Sequence, residues 1–412
     1  MSMGAGDRYP RVAFFPDSFH EVNGAALTCR QLEAFAERSN RPFMTVRCGP
    51  REFFQHNGNS WRLQFRRGRL ALPIDRDLSF DPLLFLRRRE ALDAVGRFAP
   101  DLIHITSPGD VGILGAWIAH ALRVPLVASW HTNLHEFAAR RLQRVLSFVP
   151  GIGMVQRAME RFILNRVLWF FARADVALAP NPELVNLIAA RSKKPAFLMT
   201  RGVDTSLFTP TRRNRQDGPF TLGFVGRLNP EKNVRFLKTL ETALLAEGVP
   251  PFRFVIVGGG SEAEWLQANM RHAHFPGVLS GEPLARAYAN MDLFVFPSRT
   301  DTFGNVVREA LASGVPAVVT NDGGPKYLVE PGVTGAIAES DQALIDAVLA
   351  VMRDPAAHRR MRLAAPEGAS ENSWERVFES EVYMAYRFCH ALKEGEPARN
   401  IPANGAARVT PS

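Results

Sequence analysis

At 412 residues, 46% of them apolar and 22% charged, the chain is long enough for two cored domains, and its ordinary globular composition excludes a disordered or fibrous protein. Its three cysteines follow no metal spacing and do not make a disulfide framework, so a reducing, cytoplasmic setting is expected. Met1 to Pro10 lacks an apolar core and no run reaches the ~18–20 apolar residues of a membrane span, while the net charge of +9 sits in the first half: residues 1–205 carry 28 Lys+Arg against 18 Asp+Glu.

In chain order, strands are predicted over 11–16, 43–48, 101–105, 125–130, 175–179 and 196–200, with helices between them, notably 24–38, 83–98 and 109–122. Alternation of this kind predicts a parallel sheet covered on both faces. Residues 206–218, rich in Thr, Arg, Asn, Pro and Gly, read as a linker between a first domain, 1–205, and a second, 219–371. The second repeats the scheme, with strands near 220–225, 252–257, 293–296 and 316–320 and helices over 232–246, 261–271, 283–291, 304–313, 324–330 and 341–353. Residues 372–393 read as a last amphipathic helix, and 394–412 as a disordered tail. The expected fold class is α/β, two doubly wound Rossmann-like domains facing across a cleft.

Two stretches carry the chemistry. In Ser298 to Glu309 a strand runs through a glycine turn into a helix, with seven residues between the carboxylates Asp301 and Glu309. The N–H groups of a helix starting near Gly304 favour an anion, and the two carboxylates could meet its two ends, a layout that fits a sugar joined to a ribose through a diphosphate. The same residues also fit a plain capped helix. In Phe220 to Asn233 a strand ends at Gly226, and Arg227 and Lys232 flank a Pro-containing turn. An Arg fork and a Lys point charge suit a diphosphate; a solvated basic loop suits them equally. In open parallel sheets ligands sit beyond the carboxyl ends of the strands, where both stretches fall.

The segments Gly226 to Lys232, Val257 to Gly260, Pro297 to Glu309 and Gly314 to Gly324 together resemble the donor half of family 4 retaining glycosyltransferases. Arg201 to Asp204 matches their domain junction, and Val12 to Pro16, Asn23-Gly24, Asp101 to Ile105 and Trp130 to Thr132 match the front half, so the resemblance covers roughly residues 10–390. It implies a GT-B architecture: a second domain holding a UDP- or GDP-sugar, a first domain holding the acceptor, and 372–393 crossing back onto the first. It implies that Arg227 and Lys232 neutralise the diphosphate and that Glu309 accepts from the ribose hydroxyls. Asp301, where the family usually has Glu, would contact the transferred sugar. The backbone of Gly226, Phe303, Gly304, Asn305 and Val306 would line the donor site, Asn23 and Gly24 would form the acceptor-side loop, and His131 would support the transferred sugar. His104, His135 and Asp110 are weaker candidates. No cofactor and no metal are implied, because Arg227 and Lys232 supply the charge; Asp75 and Asp77 imitate a metal motif by coincidence.

The excess charge adds a partner. The basic and apolar stretch 137–153, opened by Arg140, Arg141 and Arg144, reads as a surface for an anionic membrane, and most of 155–172 as a packed helix. No nucleic-acid partner is expected. The expected activity is transfer of a hexosyl group, with retention, from a nucleotide-diphosphate sugar to a lipid or membrane-bound glycan acceptor, by a cytoplasmic protein peripheral on the membrane. A soluble sugar acceptor, an epimerase and a non-catalytic sugar-nucleotide binder are the alternatives.

Overall fold

The computed structural model describes residues 9–21, 23–68, 70–73, 79–131, 152–215, 217–370 and 372–394. The chain divides into two compact units: one runs to Thr200 and resumes at Trp374, the other is Arg201–Ser373.

The first unit is built on eight strands: β1 (Val12–Phe15), β2 (Phe43–Gly49), β3 (Phe53–Asn57), β4 (Ser60–Arg66), β7 (Leu102–Ile105), β8 (Leu126–Ser129), β9 (Val176–Ala179) and β10 (Ala196–Leu198), with a separate pair, β5 (Leu72–Pro73) and β6 (Ser79–Phe80). Its order is β10-β9-β8-β7-β1-β2-β4-β3, parallel except for β3 against β4. The central strands are buried along their whole length, which is why their sequences read as unbroken apolar runs rather than alternations. The order reverses between β1 and β7, so the loops that follow these two strands part and leave a crevice.

The helix Gly24–Arg38 begins where the Asn23 side chain accepts from the Ala26 amide at 2.8 Å, an N-cap bond. The expected final helix is broken into a short α turn at Trp374–Val377, a π turn at Phe378–Val382 and an α-helix at Tyr383–Glu394. It buries Trp374, Phe378, Val382, Tyr383 and Tyr386 against the apolar side of Gly24–Arg38 and of the sheet. Glu381 ties it to the end of the β10 segment by accepting from the Thr200 amide at 2.5 Å and hydroxyl at 2.8 Å.

The second unit carries β11 (Phe220–Val225), β12 (Phe252–Val257), β13 (Ala273–Gly277), β14 (Leu293–Phe296), β15 (Ala317–Thr320) and β16 (Gly335–Ala338), all parallel, in the order β13-β12-β11-β14-β15-β16. This is the doubly wound order with its reversal between β11 and β14.

Among the described residues six strands and one helix escaped the sequence reading, and two of the strands, β5 and β6, are only two residues long. β3 and β4 form a hairpin at the sheet margin, and β3 is largely exposed with Gln, His and Asn in it. β13 contains Pro276, and β16 is a short Gly-Ala-Ile-Ala segment; both are edge strands. Edges need no continuous apolar run, so they leave a weak signal. The helix Pro355–Ser370 has Pro366 inside it.

Candidate active site

In the second unit the reversal point gathers the predicted donor residues. The loop after β11 carries Gly226, Arg227 and, in a short 3-10 turn, Lys232; the loop after β14 carries Asp301 and leads through Gly304 into the helix Asn305–Ala312. The neighbouring ends of β11 and β14 therefore bring these side chains together. Lys232 Nζ donates to Asp301 Oδ1 at 2.6 Å, with both side chains mostly buried. Arg227 Nη2 lies 3.5 Å from Glu231, and its side chain is 47% exposed, so its guanidinium faces solvent beside the pair. Burial would raise the Asp301 carboxyl; the charge and hydrogen bond of Lys232, with Ser298 and Arg227, outweigh it and hold the group below its ordinary value.

Glycines make these approaches possible. A side chain at Gly258 would meet the Gly226 carbonyl at 1.9 Å, and one at Gly260 the Leu228 carbonyl at 2.3 Å, so the loop after β12 packs directly against the Arg227 loop. On the other side the Gly324 amide donates to the Asp301 carbonyl at 2.7 Å, and a Cβ on Gly324 would sit 2.0 Å from the Thr302 carbonyl. Gly304, at φ 95°, turns the chain into the helix, whose first residues Asn305 and Val306 present N–H groups at its start. The Phe303 ring is buried, with the Arg308 guanidinium 5.0 Å above it, so Phe303 can face a ligand only through its backbone.

Glu309 lies one helical turn further in and is half-buried. Tyr288 donates its hydroxyl to Glu309 Oε2 at 2.9 Å. Burial pushes the Glu309 carboxyl up to about 7 against the pull of that hydrogen bond. Tyr288, on the helix Gly281–Ala289, is a site residue that the sequence did not reveal: it reads as one more apolar position of an amphipathic helix.

The first unit has its own crevice at the β1/β7 reversal. A pocket of ≈ 70 Å³ opens there, lined among others by Asp17, Ser18, Thr106, Ser107, Trp130 and His131. His131 follows β8, and its Nε2 is 2.7 Å from Ser129 Oγ. Asp17 follows β1. It is buried and accepts from the Ser107 hydroxyl at 2.5 Å, the Gly112 amide at 3.0 Å and the Gly109 amide at 3.3 Å. Burial nevertheless pushes its carboxyl up to about 7, with the nearby Asp110 adding to the rise. Asp17 was not singled out from sequence, although a carboxylate directly after an apolar strand was the available signal.

The other expected residues have visible structural duties. Asn23 caps its helix, and Gly24 opens it. Asp110 accepts from Arg67 at 3.0 Å and from the Asp81 amide at 2.9 Å. His104 is wholly buried between Tyr386 and Ser129. His135, Asp75, Asp77, Arg140, Arg141 and Arg144 lie outside the described residues, as does almost all of 137–153. Among the described residues no group of three or more His, Cys, Asp or Glu could hold a metal ion, and no helix is long and apolar enough to cross a membrane.

The helix Ile152–Phe171 divides its surface. Val167, Leu168 and Phe171 are buried, as expected of a packed helix, but Phe162 and Trp169 are more than half exposed and Met159 is exposed too. Spacings of three and seven put these three on one stripe, shared with Arg166, which lies over the Phe162 ring; Arg173 lies over Trp169. The packed-helix reading therefore holds for one face only.

Comparison with known proteins agrees across both units. A profile described as "Glycosyltransferase Family 4" matches residues 22–207, and one described as "Glycosyl transferases group 1" matches 219–354. A GDP-mannose-dependent alpha-mannosyltransferase of Mycobacterium tuberculosis is 37% identical over 69% of this chain and 72% of its own length. One from Corynebacterium glutamicum is 30% identical over 94% of this chain and 91% of its own length. Among solved structures, a sucrose-phosphate synthase from Thermosynechococcus elongatus shares the fold at a TM-score of 0.65 and 21% identity, over 93% of this chain and 98% of that one.

Proposed function

The chain belongs to the family 4 glycosyltransferases, with their GT-B fold and use of nucleotide sugars, and from that premise we propose that it moves a hexosyl group, with retention, from a nucleotide-diphosphate sugar to a lipid or membrane-bound glycan. The observation that carries the reading is the Lys232–Asp301 pair at the strand-order reversal, with Arg227 beside it and Glu309 one turn into the adjoining helix. Because both of these relatives are mannosyltransferases named for GDP-mannose, that donor is the first to try, with UDP-sugars beside it.

Cleaving the sugar–phosphate bond leaves charge on the departing diphosphate. Arg227 and Lys232 are the fixed cations that would lower that barrier, in place of a divalent metal. The helix start at Gly304 to Val306 offers N–H groups to the same anion. Asp301, held ionised by Lys232, would accept from hydroxyls of the moving sugar, and Glu309 from those of the ribose. His131 would support the sugar from the first unit, and Asn23 and Gly24 would belong to the acceptor-side loop. Support for a membrane-borne acceptor comes from the Met159–Phe162–Trp169 stripe with its arginines, the composition of a face that rests in an anionic lipid interface.

Ligand-induced thermal stabilisation tests the donor site. A panel of GDP- and UDP-sugars without added metal is expected to give one strong hit, lost in Arg227→Ala and Glu309→Ala. Incubation of that donor with lipid extracts, and the anomeric coupling of the product, then test acceptor and stereochemistry. No stabilisation at millimolar concentration by any member of the panel would count against the reading.

A further inference from the structure

Resting on the reading of His131 as a support for the transferred sugar, we infer that Tyr386, His104 and Ser129 form a directed hydrogen-bond relay that fixes His131 as the neutral tautomer protonated on Nδ1. The chain of contacts is continuous. Tyr386 hydroxyl to His104 Nδ1 is 2.6 Å, His104 Nε2 to Ser129 Oγ is 2.8 Å, and Ser129 Oγ to His131 Nε2 is 2.7 Å. Its members come from the helix Tyr383–Glu394, from β7 and from β8, and the first two are wholly buried.

The direction follows from counting protons. A buried phenol that does not donate leaves an unsatisfied O–H, which is costly. Among the described residues the hydrogen bond recorded for the Tyr386 hydroxyl is the one to His104 Nδ1, so the phenol donates and Nδ1 accepts. Burial drives His104 down to about 3, so the ring is neutral and carries a single proton. With Nδ1 accepting, that proton sits on Nε2, which donates to Ser129 Oγ. Ser129 has one proton to give and two acceptors in reach: His131 Nε2 at 2.7 Å and the Ile105 carbonyl at 3.5 Å, the limit of a hydrogen bond. The proton goes to the nearer one. His131 Nε2 therefore accepts, and the His131 proton resides on Nδ1.

The consequence is that Tyr386 acts as a positioning residue through two others. His131 presents an N–H at Nδ1, and its Nε2 lone pair is engaged by Ser129 Oγ. The relay also accounts for a histidine inside the otherwise apolar core strand β7.

The test is nitrogen-15 NMR on the full chain labelled at histidine, where long-range 15N–1H patterns distinguish the two neutral tautomers. The expected result is an Nδ1–H pattern for His131 in the unaltered protein and a mixture of tautomers, or the Nε2–H form, in Tyr386→Phe. Ser129→Ala cuts the relay at its last link and is expected to do the same, which covers the case in which Tyr386→Phe does not fold. In turnover, Tyr386→Phe is expected to lower kcat about tenfold with the donor KM unchanged. An Nε2–H pattern in the unaltered protein, or a His131 signal unmoved in both folded variants, would overturn the relay. The tautomer measurement needs no sugar transfer. An intact relay in a protein that transfers no sugar would refute the transferase reading of His131 and leave the relay standing.

Discussion

Lys232 and Asp301, 69 positions apart, are joined by a 2.6 Å ion pair that exists because β11 and β14 are neighbours at the reversal of the second sheet. Each is mostly buried; burial would favour the neutral Asp301 carboxyl, and Lys232 holds it ionised. Asp301→Asn keeps the shape and removes the charge. It is expected to cut kcat by about 10²-fold or more, as loss of a charge aimed at the reacting group does. It should also cost about 1.5–3 kcal/mol of stability at neutral pH, the usual worth of a hydrogen bond to a charged group. Because the folded Asp301 is held below its ordinary value of 3.8, this stabilisation is present above that pH and is lost as pH falls through the folded value. Denaturant unfolding of both proteins should therefore show a gap at pH 7 that narrows as the pH drops below about 4.

Glu309 has the opposite sign. Burial raises it to about 7 in the folded protein from an ordinary 4.5, so the folded state binds the extra proton between those values and the carboxylate costs stability as pH rises through them. Glu309→Gln is expected to remove that slope. If the ionised form accepts from the ribose, donor affinity in the unaltered protein rises from pH 6 to pH 8, and Glu309→Gln flattens the titration. Tyr288→Phe deletes the hydrogen bond that favours the carboxylate and should move the midpoint upward. Calorimetric titration of the donor across that range is the check.

Legibility in the sequence followed burial. The strands β1, β7, β11, β12 and β14 are mostly buried and mostly apolar runs bounded by turn residues, and they emerge within a residue or two of their expected limits. The loop residues proposed to meet the donor stood out in the sequence because Gly, Pro and charged side chains cluster immediately after such strands. Edge strands, which need only a partial apolar pattern, were not. Tyr288 and the Tyr386–His104–Ser129 relay were hidden for another reason: each depends on a partner distant in sequence. His104 and Tyr386 stand 282 positions apart, and spacing along the chain carries no trace of that contact.

Gly324 is expected to be intolerant of any side chain. A Cβ added there would lie 2.0 Å from the Thr302 carbonyl and 2.6 Å from the Phe303 Cα, both backbone atoms that cannot swing aside. Gly324→Ala should push the 301–304 turn outward, with a loss of about 1–3 kcal/mol typical of overpacking. Since that turn carries Asp301 and aims the start of the helix Asn305–Ala312, donor affinity should fall tenfold or more while Gly368→Ala, where a Cβ meets nothing within 4 Å, leaves it unchanged. Differential scanning fluorimetry with and without donor separates the two effects.

The exposed stripe on Ile152–Phe171 gives the last prediction. Phe162 is 55% and Trp169 53% exposed, an arrangement with no benefit in water but a large one where the rings can enter an acyl boundary and Arg166 and Arg173 can meet anionic headgroups. Phe162→Ala with Trp169→Ala is expected to reduce cosedimentation with phosphatidylglycerol vesicles by about tenfold or more, since full burial of one such side chain is worth about 1.5–3 kcal/mol. Donor-induced stabilisation should be unchanged, because the stripe belongs to the first unit and the donor residues to the second. High salt should weaken binding of the unaltered protein through the arginine contacts, and neutral phosphatidylcholine vesicles should bind it poorly. Vesicle binding that survives the double substitution would remove this stripe as the lipid-facing surface.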